Sequence, residues 1–259
     1  MHNKKIRGII KRKGKKPIVC LTAYSKAIAE ILDKHCDIIL VGDSLGMVLY
    51  GMKSTREVTL DMMINHAKSV KRGIKKSILV VDMPYQTYKN KKEAYKNAKK
   101  IIQSTRCDAV KLEGGKKIIN IIRYLIKKNI PIMGHIGLLP QSEKGKFTFK
   151  GKREAERKKI FQDAKLLSES GVFAIVIECV EQNLAANISR SILAPTIGIG
   201  ASQQCDGQIL VTDDLIGLSN FSPKFLRKYS NLKKVINKSV LKFKKDVLRK
   251  KFPGKKNIY

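Results

Sequence analysis

Between residues 17 and 211 the chain alternates short apolar runs with longer amphipathic stretches. The runs are PIVCLTAY at 17–24, IILV at 38–41, ILVVD at 78–82, AVKL at 109–112, IPIMGH at 130–135, VFAIVIECV at 172–180, PTIGIGA at 195–201 and QILV at 208–211. Each is too short for a buried helix and most are rich in β-branched residues, so they predict strands covered on both faces. Ala27, Ile28, Ile31 and Leu32 recur at helical spacing in the stretch 26–34. The same period places helices at 60–72, 91–104, 116–128, 153–170 and 181–191, with Gly73 and Gly171 as expected stop signals. Strands that alternate with helices predict an α/β fold with a parallel sheet, and eight of them predict a (β/α)8 TIM barrel. An open doubly wound sheet is the alternative. No GxGxxG opens a helix after the first strand, and IGIGAS comes too late, so a dinucleotide site is not expected.

The 259 residues suit one barrel domain, with a basic lead-in whose Ile6, Ile9 and Ile10 share a helical face. A helical, basic tail from 223 to 251 follows, with Phe225, Leu226, Val235, Val240, Leu241 and Phe243 as its apolar positions. Charge complicates this picture. Lys and Arg number 54 against 21 Asp and Glu, a net charge of +33 that would suit a polyanion-binding protein on an inactive barrel. The lysines are spread over nearly every expected helix, however, and no nucleic-acid motif accompanies them, so a specific nucleic-acid partner is not expected. Five scattered cysteines read as free thiols of a reducing compartment. No signal-peptide core and no membrane-spanning run is seen, which leads to the expectation of a cytoplasmic protein without membrane contact.

Chemistry collects where the expected strands end. Asp43 and Ser44 follow the second strand, Asp82 ends the third, Glu113 follows the fourth, His135 ends the fifth and Glu178 lies near the end of the sixth. A single acid after a strand is commonly a turn residue or helix cap. Three carboxylates on successive strands, with no Cys or His at metal-ligand spacing, instead suggest a hard cation such as Mg²⁺. Lys111 stands two residues before Glu113, so it shares that residue's side of the strand and can clamp a carboxylate or neutralise the acids. The Gly- and Lys-rich loop after the fifth strand, with Pro140, Gln141 and Ser142, is long enough to be a lid.

These motifs also carry a resemblance. VGDSLGM at 41–47, Ser54-Thr55, DMPY at 82–85, KLEGG at 111–115, GHIGLLPQS at 134–142, IECV at 177–180, IGIGAS at 197–202 and CDGQILV at 205–211 follow one another as in the ketopantoate hydroxymethyltransferase family. The resemblance implies a barrel of the phosphoenolpyruvate/pyruvate type and one Mg²⁺ per subunit. It also implies transfer of a one-carbon unit from 5,10-methylenetetrahydrofolate to 3-methyl-2-oxobutanoate, giving 2-dehydropantoate for pantothenate synthesis. By position, Asp43, Asp82 and Glu113 would form the metal site. Asp43, Ser44, Asp82, Lys111 and His135 would contact the 2-oxo acid, and Glu178 would accept the proton. A homodecamer of two pentamer rings is implied too. The sequence departs from the family pattern at Ser202 and Tyr85, on the side expected to face the folate.

Overall fold

The computed structural model describes residues 4–143 and 148–259, which fall into two compact units, Met1–Val211 and Thr212–Tyr259. In the first unit, α1 (Lys4–Ile10) precedes β1 (Ile18–Thr22), α2 (Lys26–Leu32) and β2 (Ile38–Val41). Next come a short α3 (Leu45–Val48), α4 (Leu60–Gly73), β3 (Ile78–Asp82), α5 (Lys91–Thr105), β4 (Ala109–Glu113) and α6 (Ile119–Lys127). The barrel continues through β5 (Ile132–Gly137), α7 (Glu154–Glu169), β6 (Ala174–Glu178), α8 (Gln182–Ser191), β7 (Thr196–Ile199) and β8 (Gly207–Leu210). All neighbouring strands are parallel and β8 pairs with β1, so the sheet closes as the expected eight-stranded barrel.

Alternation along each strand divides the core in two. Ile18 and Cys20, Ile38 and Leu40, Ile78 and Val80, Ala109, Met133, Ala174 and Val176, Ile197 and Ile209 pack together in one buried cluster, which Ile6 and Ile9 of α1 join. Their neighbours Ile39, Val41, Leu79, Val81, Val110, Leu112, Ile175 and Ile177 pack instead with helix residues such as Ala67, Ile101, Ile122, Leu167 and Leu184. Full burial of such side chains contributes roughly 1.5–3 kcal/mol each, and both faces of β2 to β6 share in it.

Several boundaries differ from the sequence reading. The run 172–180 forms a barrel strand only over Ala174–Glu178, because Cys179 takes a left-handed backbone (φ 48°) that ends the strand. Helix α6 is preceded by a 3-10 turn, Lys116–Ile118, where the pattern predicted one continuous helix. Gly73, expected to stop α4, is its last residue, with Ile74 in the capping position. A Cβ there would sit 2.5 Å from the Lys26 carbonyl oxygen and 2.9 Å from Ala29 Cβ, so glycine is needed for close packing on α2. Gly171, by contrast, takes φ 89° just after α7, as a stop signal should.

At the strands' N-terminal end, Asp206 accepts hydrogen bonds from the Thr196 and Gly14 amides and pairs with Lys13. The second unit contains α9 (Thr212–Leu215) and α10 (Leu232–Leu248). The predicted tail helix is thus shorter than 223–251, and none of its residues is buried; Val235, Val240, Leu241 and Phe243 are exposed. Among the described residues no helix is long and apolar enough to cross a membrane.

Candidate active site

On β3 to β6 the inward face ends in a polar side chain at the C-terminal rim. Ile78 and Val80 lead to Asp82, Ala109 to Lys111 and Glu113, Met133 to His135, and Ala174 and Val176 to Glu178. Register then decides who meets whom: Asp82 pairs with Lys111, Glu113 with His135, and Gly137 with Glu178. A period of two combined with parallel pairing therefore turns residues spread from 82 to 178 into one cluster.

Within it, Lys111 Nζ lies 3.0 Å from Asp82 Oδ1 and 3.2 Å from His135 Nδ1. His135 Nδ1 is 3.5 Å from Glu113 Oε1, and its Nε2 is 3.3 Å from Glu178 Oε2. Because the Lys111 ammonium points at Nδ1, that nitrogen is the acceptor and the ring proton belongs on Nε2, facing Glu178. Burial, and then the adjacent Lys111 ammonium, lower the His135 pKa and keep the ring neutral.

Asp43 sits just beyond β2, where its backbone amide donates to Asp82 Oδ2 at 3.1 Å. Burial and the nearby Asp82 carboxylate push the Asp43 pKa up to about 7. Glu113 is raised as well, by burial first, with Asp43 and Glu178 adding to the effect against Lys111. Burial would lower Lys111, but Asp82, Glu113 and Asp43 outweigh it and raise that pKa. Ser44 opens α3 and shares a 2.8 Å hydrogen bond between its Oγ and the Tyr24 hydroxyl.

Asp43, Asp82 and Glu113 are all buried, and among the described residues the only buried lysine beside them is Lys111. Three carboxylates against one ammonium leave an excess of two negative charges, partly relieved here by the raised pKa values of Asp43 and Glu113. Hard oxygen donors with this charge deficit fit a divalent cation. Among the described residues no three acid, imidazole or thiol groups already converge at coordinating distance.

The structure thus brings Asp43, Asp82, Lys111, Glu113, His135 and Glu178 together, with Ser44 beside Asp43. It adds three residues to which sequence reasoning assigned no part in this cluster: Tyr24, Tyr88 and Gln141. Gln141, expected in a lid, is buried and donates to Asp43, while the Tyr88 hydroxyl donates to Gln141. Both lie in aperiodic loops, where no pattern distinguishes a buried polar residue from an exposed one. Part of the expected lid, 144–147, lies outside the described residues. A cavity of about 600 Å³ adjoins the cluster at Glu113 and Gln141, lined by Tyr85, Tyr88, Ile118, Ile121, Ile136 and Leu139 and by several lysines, among them Lys116 and Lys159.

A family model described as ketopantoate hydroxymethyltransferase matches residues 3–255. The chain belongs to the ketopantoate hydroxymethyltransferase family. A relative from Pelagibacter ubique (strain HTCC1062), named 3-methyl-2-oxobutanoate hydroxymethyltransferase, is 63% identical over 99% of this chain and 100% of its own length. Relatives of the same name from Phenylobacterium zucineum and Rhizobium etli are 50% and 52% identical, over 97% and 93% of this chain and 92% and 90% of theirs. This ketopantoate hydroxymethyltransferase family member is therefore an enzyme, a transferase of hydroxymethyl groups, and the polyanion-binding alternative is not favoured. Among solved structures, 2,3-dimethylmalate lyase, a PEP mutase/isocitrate lyase superfamily member, matches with a TM-score of 0.63 at 11% identity, over 98% of this chain and 88% of that one. Phosphonopyruvate hydrolase in complex with oxalate and Mg++ matches at 0.61 and 8%, over 82% and 81%. At such identities the likeness speaks for the barrel fold alone.

Proposed function

We propose that the chain transfers a one-carbon unit from 5,10-methylenetetrahydrofolate to 3-methyl-2-oxobutanoate, forming 2-dehydropantoate for pantothenate and coenzyme A synthesis. The observation that carries the reading is the buried set of three carboxylates, Asp43, Asp82 and Glu113, around Lys111, in a member of this family. Asp43 and Asp82, with Glu113 completing the set, would hold one Mg²⁺. Bound there, the ion would supply Lewis acidity toward oxygens of the 2-oxo acid.

The chain's own side chains do the rest. Lys111, kept protonated by its acidic neighbours, meets the substrate carboxylate, and the Ser44 hydroxyl orients it from the opposite tip. Glu178 is the least enclosed acid of the cluster and stands where it can take the C3 proton, a task in which a positioned base contributes roughly 10²- to 10⁴-fold. Neutral His135 faces Glu178 with its Nε2 at 3.3 Å from Oε2 and borders that carboxylate. The adjoining cavity, with Ile136 and Leu139 in its wall, has the aromatic and apolar lining to take the folate ring system. Its lysine rim suits the glutamyl carboxylates of folates and gives part of the +33 charge a use. Pro140, Gln141 and Ser142 serve as the base of a lid. A homodecamer of two pentamers in the cytoplasm completes the reading, and sedimentation of the purified protein tests its size.

Enolisation can be followed without the folate. Deuterium exchange at C3 of 3-methyl-2-oxobutanoate should require Mg²⁺ and should fall about 10²-fold or more in Glu178→Gln. Exchange that proceeds equally without metal, or that survives in the variant, would refute the assignment.

A further inference from the structure

The mechanism above leaves Gln141 without a chemical task, yet it is hydrogen-bonded directly to two of the acids. It is only 2% exposed, and its backbone N–H and both ends of its side-chain amide have partners. Its Nε2 donates to Asp43 Oδ2 at 2.7 Å and to the Met83 carbonyl at 3.0 Å. Its backbone amide donates to Glu113 Oε2 at 3.0 Å, and its Oε1 accepts from the Tyr88 hydroxyl at 2.5 Å. A residue of the β5 loop is therefore bonded to groups at the tips of β2, β3 and β4.

Chemistry fixes which way this amide faces. A carboxylate and a carbonyl both demand donors, so the NH₂ end must point at Asp43 and Met83, and the oxygen is left for the Tyr88 O–H. Tyr88 is itself mostly enclosed, and its burial, then Glu113, raise its pKa, so its hydroxyl keeps the proton it donates. The chain Tyr88, Gln141, Asp43 is directional, with each member orienting the next. Without Gln141, Asp43 Oδ2 would lose a buried donor, and the carboxylate could rotate among Asp82, Lys111 and the cavity.

We propose that Gln141, oriented by Tyr88, is a positioning residue that presets the Asp43 carboxylate for a divalent cation and couples that site to the β5 loop. The inference rests on the metal reading proposed above. Groups that orient metal ligands from behind typically matter about 10- to 100-fold in metal affinity.

The test uses the full chain and Mn²⁺ as probe, its binding followed by electron paramagnetic resonance, with hydrogen exchange of the 138–143 segment read separately with and without Mg²⁺. Asp43→Asn should abolish binding at the site. Gln141→Leu should weaken Mn²⁺ about tenfold, and Tyr88→Phe should weaken it by less. The double variant should be no weaker than Gln141→Leu, since Tyr88 acts only through Gln141. Mg²⁺ should slow exchange of 138–143 in the parent chain but not in Gln141→Leu. If Gln141 only supported the fold, its loss would lower the melting temperature and leave Mn²⁺ affinity unchanged in the folded protein. That result, or additive effects of the two substitutions, overturns the proposal while leaving the metal reading intact. Mn²⁺ binding equally well to the parent and to Asp43→Asn overturns both.

Discussion

Among the described residues Lys111 is the single buried cation among acids drawn from three strands, and its neighbours explain both its burial and its raised pKa. Replacing it by Met removes the ammonium 3.0 Å from Asp82 Oδ1 and leaves that buried oxygen without a partner. Uncompensated charges of this kind cost about 3–5 kcal/mol, so Lys111→Met should lose stability of that order in urea unfolding. A loss below about 1 kcal/mol would mean that the acids are already neutral or hydrated. The lysine's inward direction was legible from its place two residues before Glu113. The contact with His135 was not, because it depends on the register between β4 and β5.

Elements meet through features that a single-chain pattern reads differently. Gly73 looks like a stop signal at the end of an amphipathic stretch, and in the folded chain it is also a point at which α4 packs tightly on α2. Adding a methyl group there forces backbone apart, so Gly73→Ala should destabilise by about 1–3 kcal/mol while the folded enzyme turns over normally. Measured denaturant midpoints decide it, and an unchanged or higher midpoint would restore the reading of Gly73 as a cap. Asp33 shows a related coupling. At the C-terminal end of α2, its buried carboxylate accepts hydrogen bonds from the amides of Lys75, Lys76 and Ser77 and so fixes the segment entering β3. Although burial alone would raise its pKa, these donors lower it. The stabilisation is therefore present above the unfolded-state value near 3.9 and is lost as pH falls through the lower folded value. Asp33→Asn should cost about 1–3 kcal/mol at pH 7, and the gap to the parent should narrow below about pH 4.

Over the whole molecule, the rim acids work in the opposite direction. Asp43, at about 7, and Glu113 have raised pKa values, so the stability linked to their protonated forms is full below about pH 4 and is lost as pH rises toward 7. A divalent cation should restore it. Mg²⁺ is expected to raise the melting temperature more at pH 8 than at pH 5.5, by up to about 2.7 kcal/mol of stability at a hundredfold excess over its dissociation constant. Scanning fluorimetry at the two pH values checks this, and an equal shift at both would argue that the ion binds elsewhere. From the sequence alone came the barrel class, the eight strands and the functional residues at their ends, because strand period, β-branched runs and acids at strand tips are properties of neighbouring residues. Only the tertiary structure decided that Asp82 faces Lys111, that His135 stands between Glu113 and Glu178, and that Gln141 is bonded to Asp43. Those contacts join residues brought together by ring closure and strand register, and the free energy that places them is shared across the whole barrel rather than encoded in any one stretch.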